Sequence, residues 1–305
     1  NILPYACITK DMKGLELTDF KALKNAGAVG LTDDGLPVMN AHIMRRAFEE
    51  SKELNLVVAQ HAEDLNLSNK GCINEGLASK KLNVRGIPNI SESVIVERDL
   101  AILEKTGGRY HLLHVSTKEG LDAIKRAKDK GLNATVEVCP HHFMLNDEQV
   151  LKSGTNAKMN PPLRSESDRL YLIEGLRSGL IDAISTDHAP HDLASKDKDI
   201  SDAAFGIVGV ETMLPLSLSL YHQGILSLLD LLAKMTCNAA NIINFDGGII
   251  KKGARADLTL IDLNSDWNID PNKFYSKSNN SPFAGFKVKG RAIRTIVAGK
   301  TIWHI

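Results

Sequence analysis

The chain has 305 residues, 43% of them hydrophobic, enough for one large α/β domain with a small appendage and too apolar for wholesale disorder. Lys plus Arg and Asp plus Glu both number 37, so the formal net charge is zero. That balance argues against a nucleic-acid-binding stripe and against a polybasic membrane patch.

Apolar strands alternate with amphipathic helices along most of the chain. Residues 2–8 read as a core strand already under way at Asn1, which leads to the expectation that further residues precede it. Strands follow at 28–32, 56–60, 110–113, 134–139 and 181–185. Between them, Val96, Leu100 and Leu103 fall at helical spacing ahead of Gly107 and Gly108. Leu121 and Ile124 share a face in a segment closed by Gly131, and Leu170 and Ile173 do the same before Gly179. Repeated strand-then-helix units predict a parallel sheet. The polar stretch 192–204 reads as a mobile loop.

The pattern changes after Phe245. Gly247-Gly248 and Gly253 lead into a short strand at 258–263, with further strand-like runs at 287–289 and 293–297 and a hairpin-type turn at Ala298-Gly299-Lys300. The expected division is therefore 1–245 as an α/β unit and 246–305 as part of a small β-module. Cys7, Cys72, Cys139 and Cys237 form no CxxC pair and read as free thiols of a reducing, cytoplasmic setting. Stretches such as 213–220 are broken by Pro215 and serines and fall short of a membrane span.

The chemistry gathers where the strands end. Asp33-Asp34 closes the strand at 28–32, His61 that at 56–60, His114 that at 110–113, and Asp187-His188 that at 181–185. Asp and His near an apolar interior need partners or a metal. Four such ends predict a polar site at the carboxyl edge of a parallel β/α barrel. The expected fold is a TIM-type (β/α)8 barrel with six strands visible; two further units at roughly 30 residues each would add about 60 residues.

Asp34, His61, His114 and Asp187 are candidate ligands of a zinc-like divalent ion, brought together only by the fold. Each has a plainer reading. Asp34-Gly35 is a common turn dipeptide, Asp33 suits a helix cap near Asn40, and a lone histidine is often just hydrogen-bonded. Asp187 also suits a general acid/base beside a metal-activated water. Asn160, in a Pro-Pro turn, can hydrogen-bond a substrate imide or simply form the turn. His191 is expected to point toward a substrate, and Gly206 after Phe205 permits close backbone approach. His141-His142 and His188 read as supporting groups, Glu211 as structural, and His42, His111, His222 and His304 as ordinary.

The runs Thr32-Asp33-Asp34-Gly35, Gln60-His61-Ala62-Glu63-Asp64, Leu113-His114-Val115-Ser116, Pro140-His141-His142, Asn160-Pro161-Pro162-Leu163-Arg164, Thr186-Asp187-His188-Ala189-Pro190-His191 and Phe205-Gly206 resemble the type I dihydroorotases of the amidohydrolase superfamily. The resemblance implies a β/α barrel holding one or two Zn2+ ions. It implies Asp34 bridging the metals, His61 and His114 completing one shell, and Asp187 as metal ligand and general acid/base. Asn160, His191 and the Phe205-Gly206 backbone would hold the dihydropyrimidine ring and its carboxylate. The implied reaction is the reversible closure of N-carbamoyl-L-aspartate to dihydroorotate in pyrimidine synthesis. A small-molecule substrate, a homo-oligomer and an aspartate transcarbamoylase partner come with it; nucleic acid and membrane do not.

The family's His-x-His-x-Arg motif and a downstream Asn are missing from these residues, and both belong before Asn1. The expectation is that these 305 residues alone do not turn over. Ala204 stands where the family often has Pro, a change expected to be tolerated. Two rivals remain. One is an allantoinase or hydantoinase, which shares the barrel and its metal. The other is a non-catalytic dihydroorotase-like subunit supporting aspartate transcarbamoylase, which would lose ligands that this chain keeps.

Overall fold

The computed structural model describes residues 1–305. Its strands are β1 (Tyr5–Ala6), β2 (Gly30–Leu31), β3 (Val57–Gln60), β4 (Ile73–Asn74), β5 (Gly86–Ile87), β6 (Tyr110–Leu112), β7 (Ala134–Val138), β8 (Ala183–Ile184), β9 (Leu258–Asn268), β10 (Lys287–Val297) and β11 (Lys300–His304). Six of them form one sheet in the order β1-β2-β3-β6-β7-β8. Its pairings are parallel, with Tyr5 opposite Gly30, Gly30 opposite Val57, Val58 opposite Tyr110, Tyr110 opposite Ala134 and Val138 opposite Ile184.

Every apolar run of the barrel unit thus becomes a strand, shorter than its sequence suggested. The ladders stop where the backbone leaves the extended region, at His114 (φ 32°) and Asp187 (φ 45°). Asp33 leaves the ladder for another reason. Its buried carboxylate accepts from the backbone N and the hydroxyl of Thr9, tying the end of β1 to the end of β2. It does not cap the next helix; Asn40 does, accepting from the amides of His42 and Ile43.

Helices cover one face of the sheet. On β7, Ala134, Val136 and Val138 are buried, while Thr135 and Glu137 face the other way and are half-buried. The buried set packs with Leu121, Ile124, Leu172 and Leu176 in the main core. The helix Ile90–Thr106 ends at Gly107 as read, and Lys118–Asp129 starts at Thr117, whose hydroxyl accepts from Gly120 N. In Glu166–Arg177 the inward face differs from expectation. Leu172 and Leu176 are buried, whereas Leu170 is 52% exposed. Two apolar residues three apart fit more than one helical face, and the sheet selects the one that buries more surface.

The stretch 192–204 carries a one-turn helix, Leu193–Lys196, capped by Asp192. Lys196 is buried, and its ammonium donates to the carbonyls of Lys158 (3.2 Å), Ala204 (2.8 Å) and Gly206 (3.0 Å). The short parallel pair β4–β5 went unread in the sequence. In the tail, β9, β10 and β11 form an antiparallel sheet in the order β11-β10-β9. The runs at 287–289 and 293–297 belong to one strand, β10, interrupted by register shifts between Lys289 and Arg291 and between Ala292 and Arg294. This sheet packs on the helix Met213–His222. All four cysteines are free. No helix is long and apolar enough to cross a membrane.

Candidate metal centre

Asp34 follows β2, His61 follows β3, His114 follows β6 and Asp187 follows β8, so parallel pairing brings all four to one edge of the sheet. Three converge tightly. His61 Nδ1 lies 3.2 Å from His114 Nε2 and 3.3 Å from Asp34 Oδ1, and His114 Nε2 lies 3.4 Å from the same oxygen. A tetrahedral zinc-like ion with ligand bonds of about 2.0–2.1 Å has ligand–ligand edges of about 3.3–3.4 Å. One proton can satisfy only one edge of such a triangle, whereas a cation satisfies all three. His61 and His114 are buried, while the Asp34 side chain stays 35% exposed, leaving the site open on that side. The donor set and its spacing fit a divalent ion.

The surroundings favour the same reading. His61 Nε2 donates to Glu63 Oε2 at 3.2 Å, the carboxylate–histidine pair that orients a metal-ligating imidazole and raises its basicity. The same Glu63 oxygen accepts from Asn160 Nδ2 at 2.8 Å. Asn160 therefore turns its amide nitrogen inward, and its carbonyl oxygen is free to accept an N–H. Burial pushes the Asp34 carboxyl up, but bonds and charge from His114 and His61 outweigh it and hold the carboxyl well below its usual range. Burial pushes His61 down, yet Asp34 and Glu63 raise it to about 9; His114 is raised likewise, chiefly by Asp34. For Glu63, burial is overcome by His61, Ser68 and Asn160, and its pKa falls to about 2. Two histidines pushed toward the cationic form by a carboxylate mark a place where positive charge is stabilised.

In the sequence Glu63 stands inside the run Gln60-His61-Ala62-Glu63-Asp64, with no role of its own read for it. The signal was available: in an extended segment residues two apart share a side, so His61-x-Glu63 places a carboxylate beside the imidazole.

Asp187 lies outside this triangle but feels it. Burial raises its pKa, Asp34 and Glu137 add to the rise, and His114 and His61 oppose it. A carboxyl held toward its protonated form beside a cation site suits proton transfer. Behind it, Cys139, His141 and His142 form a second group of ligand-type side chains, all buried. His142 Nε2 donates to Pro161 O at 3.0 Å, which holds the turn carrying Asn160. Below the site, His111 bridges Thr135 (2.8 Å) and Glu137 (3.0 Å), so this histidine, read as ordinary in the sequence, is part of a buried polar network.

On the far side, His188 Nδ1 accepts from Gly209 N at 3.0 Å, buttressing the turn. His191 Nε2 donates to Phe205 O at 2.7 Å, which fixes the ring and leaves Nδ1 for a ligand. Gly206 has φ 120°, and a Cβ there would collide with Ala189 Cβ. Its N–H donates to Lys158 O at 3.0 Å, and its carbonyl accepts from Lys196. Close approach at Gly206 is thus to protein, while the neighbouring Phe205 N–H makes no bond within the chain. Glu211 accepts from the amides of Tyr275 and Ser276, the structural role read for it.

Residues 1–120 match the family described as Dihydro-orotase-like. The dihydroorotase of Anaplasma phagocytophilum (strain HZ) is 57% identical over 305 residues, covering 100% of this chain and 68% of the relative. That of Geobacter sp. (strain M21) is 46% identical, covering 100% of this chain and 72% of the relative. Among solved structures, the L-hydantoinase (dihydropyrimidinase) from Arthrobacter aurescens has a TM-score of 0.87 at 26% identity, covering 98% of this chain and 69% of that one. A dihydropyrimidinase from Brevibacillus agri NCHU1002, at 20% identity and TM-score 0.83, covers 93% of this chain and 65% of that one and shares the fold.

Proposed function

This chain belongs to the dihydroorotase family, and from that premise we propose that its site interconverts N-carbamoyl-L-aspartate and dihydroorotate with a zinc ion or ion pair as cofactor. The observation that carries this reading is the triangle of Asp34, His61 and His114, linked through Glu63 to Asn160. Asp34, His61 and His114 would hold the metal together with Asp187, and when bound it would polarise the ring carbonyl and acidify water.

The protein's own groups do the rest. Hydrolysis adds a water oxygen to a ring carbonyl, breaks the carbon–nitrogen bond and delivers a proton to the leaving nitrogen; closure is the reverse. Asp187, raised by burial, takes the water proton and passes it to that nitrogen. Asn160 accepts the ring N–H through the oxygen that Glu63 leaves free. His191 and the Phe205-Gly206 turn receive the substrate carboxylate. The same reading has residues 1–245 as the barrel unit and 246–305 as part of a β-sandwich. It makes the protein a cytoplasmic, self-associating enzyme of pyrimidine synthesis that docks aspartate transcarbamoylase.

The test is the purified full-length gene product assayed with dihydroorotate, allantoin and hydantoin, with and without a chelator. Chelator-sensitive turnover of dihydroorotate above the others is expected. The L-hydantoinase likeness supports a hydantoin-hydrolysing rival, and preference for hydantoin would overturn the proposal in its favour. A metal-free, inactive product would favour the non-catalytic subunit.

A further inference from the structure

We propose that Asn280, from the segment joining β9 to β10, is a positioning residue that sets the spacing between the two loops at the substrate-binding rim of the site. The residue is 3% exposed and spends both ends of its side-chain amide on those loops. Nδ2 donates to Ala189 O at 3.0 Å and to Gly206 O at 3.1 Å. Oδ1 accepts from His191 N at 3.2 Å, and the Asn280 backbone carbonyl accepts from Val208 N at 3.0 Å. One residue therefore grips the Asp187–His191 turn and the 205–208 stretch at once. The loops also meet directly, Ala189 N donating to Ile207 O at 2.9 Å.

The grip has a firm anchor. Ser281 and Phe283, just after Asn280, are buried, and Ser281 Oγ accepts from Phe283 N at 3.2 Å. Phe283 stands edge-on to Phe286 and packs in the core cluster that contains Met159, Ile207 and Leu216. Asn280 makes no hydrogen bond to the Asp34–His61–His114 triangle or to Glu63. It acts on the rim alone, through a segment distant in sequence.

This inference rests on the reading of His191 and the Phe205-Gly206 turn as the substrate rim, and the experiment separates the two. Asn280→Ala deletes three side-chain hydrogen bonds. Asn280→Asp keeps the acceptor for His191 N but turns an oxygen toward two carbonyls. Losing these bonds frees the two loops to separate, so KM for dihydroorotate should rise about tenfold or more. Bound metal and kcat should change less than about threefold, because the loss falls on binding. Amide exchange should speed up at 188–191 and 205–208 and stay unchanged in β3 and β6. Asn280→Ser, which keeps one donor and one acceptor, should fall between the wild type and Asn280→Ala, and it serves if the other variants fail to fold.

His191→Ala is measured alongside. If it raises KM while the folded Asn280 variants do not, the Asn280 proposal is overturned and the functional reading stands. If it leaves KM unchanged, the reading and this proposal fall together. Loss of protection spread over the whole chain, with KM unaltered, would make Asn280 merely structural and overturn the proposal.

Discussion

Two groups of ligand-type side chains stand at the same edge of the same sheet, and their surroundings set them apart. In Asp34, His61 and His114 the donor atoms close to 3.2–3.4 Å, a carboxylate oxygen is shared by both imidazoles, and one member opens to solvent. In Cys139, His141 and His142 no carboxylate is among the donors, and all three residues are buried. Burial, aided by the charge of His114, pushes both imidazoles of the second group down, His142 to about 3. The first group is arranged to hold positive charge and the second to avoid it. Residue type alone does not make a cation site. It takes a negative charge to repay desolvation and an opening through which a ligand arrives.

Substitutions can break this contrast. Asp34→Asn removes the charge both histidines share and should weaken metal binding by about 100-fold or more, read by competition with a chromogenic chelator. Cys139→Ser should leave the same affinity within about twofold. Equal losses from both would erase the distinction between the groups.

Glu63→Gln sharpens it from outside the triangle. The variant keeps a side chain near His61 but loses the carboxylate that raises the imidazole's basicity and orients Asn160. Metal affinity should fall about 10–100-fold. KM for dihydroorotate should rise as well, since the Asn160 amide is then free to flip.

The pH axis separates the groups by window. His142 has a folded pKa lowered to about 3 against an ordinary 6.5. Its contribution is therefore present above pH 6.5 and is lost as pH falls toward 3. His142→Asn, which can still donate to Pro161 O, should flatten urea stability across that window by on the order of 1–3 kcal/mol. Glu63 lies lower, at about 2 against 4.5. Its stabilisation is present above pH 4.5 and lost on further acidification, so Glu63→Gln should change the slope only below 4.5, by a smaller amount on the order of 1–2 kcal/mol. Matching pH profiles for the two variants would contradict the separation.

The strands were readable because apolar runs bounded by polar residues fit a sheet buried on its helical face, and β1, β2, β3, β6, β7 and β8 each fall inside such a run. The helix Glu166–Arg177 was readable in place but not in orientation, since Leu170 and Leu172 are equally apolar and only packing against Leu121 and Ile181 chooses between them. β10 was read as two pieces because Gly290 and Arg291 interrupt its alternation, and pairing with β9 carries the strand across the gap.

At the site, Asp34, His61, His114 and Asp187 were legible as polar residues at strand ends. Glu63 was legible only in hindsight and Asn280 not at all. Nothing near Asn280 in the chain marks it out, because the groups it holds lie about 70 to 90 residues earlier.

What the sequence determined by itself is the order of strands and helices, the class of fold, and which residue types reach the carboxyl edge of the sheet. Hydrophobic periodicity is local, and the chain carries it in full. What only the tertiary structure decided is which of those polar residues meet. Asp34 Oδ1 lies between His61 and His114, Glu63 faces Asn160, and Asn280 clasps the rim. Distances of about 3 Å between residues far apart in the chain are set by how the strands register and the loops pack, and local sequence carries no measure of either.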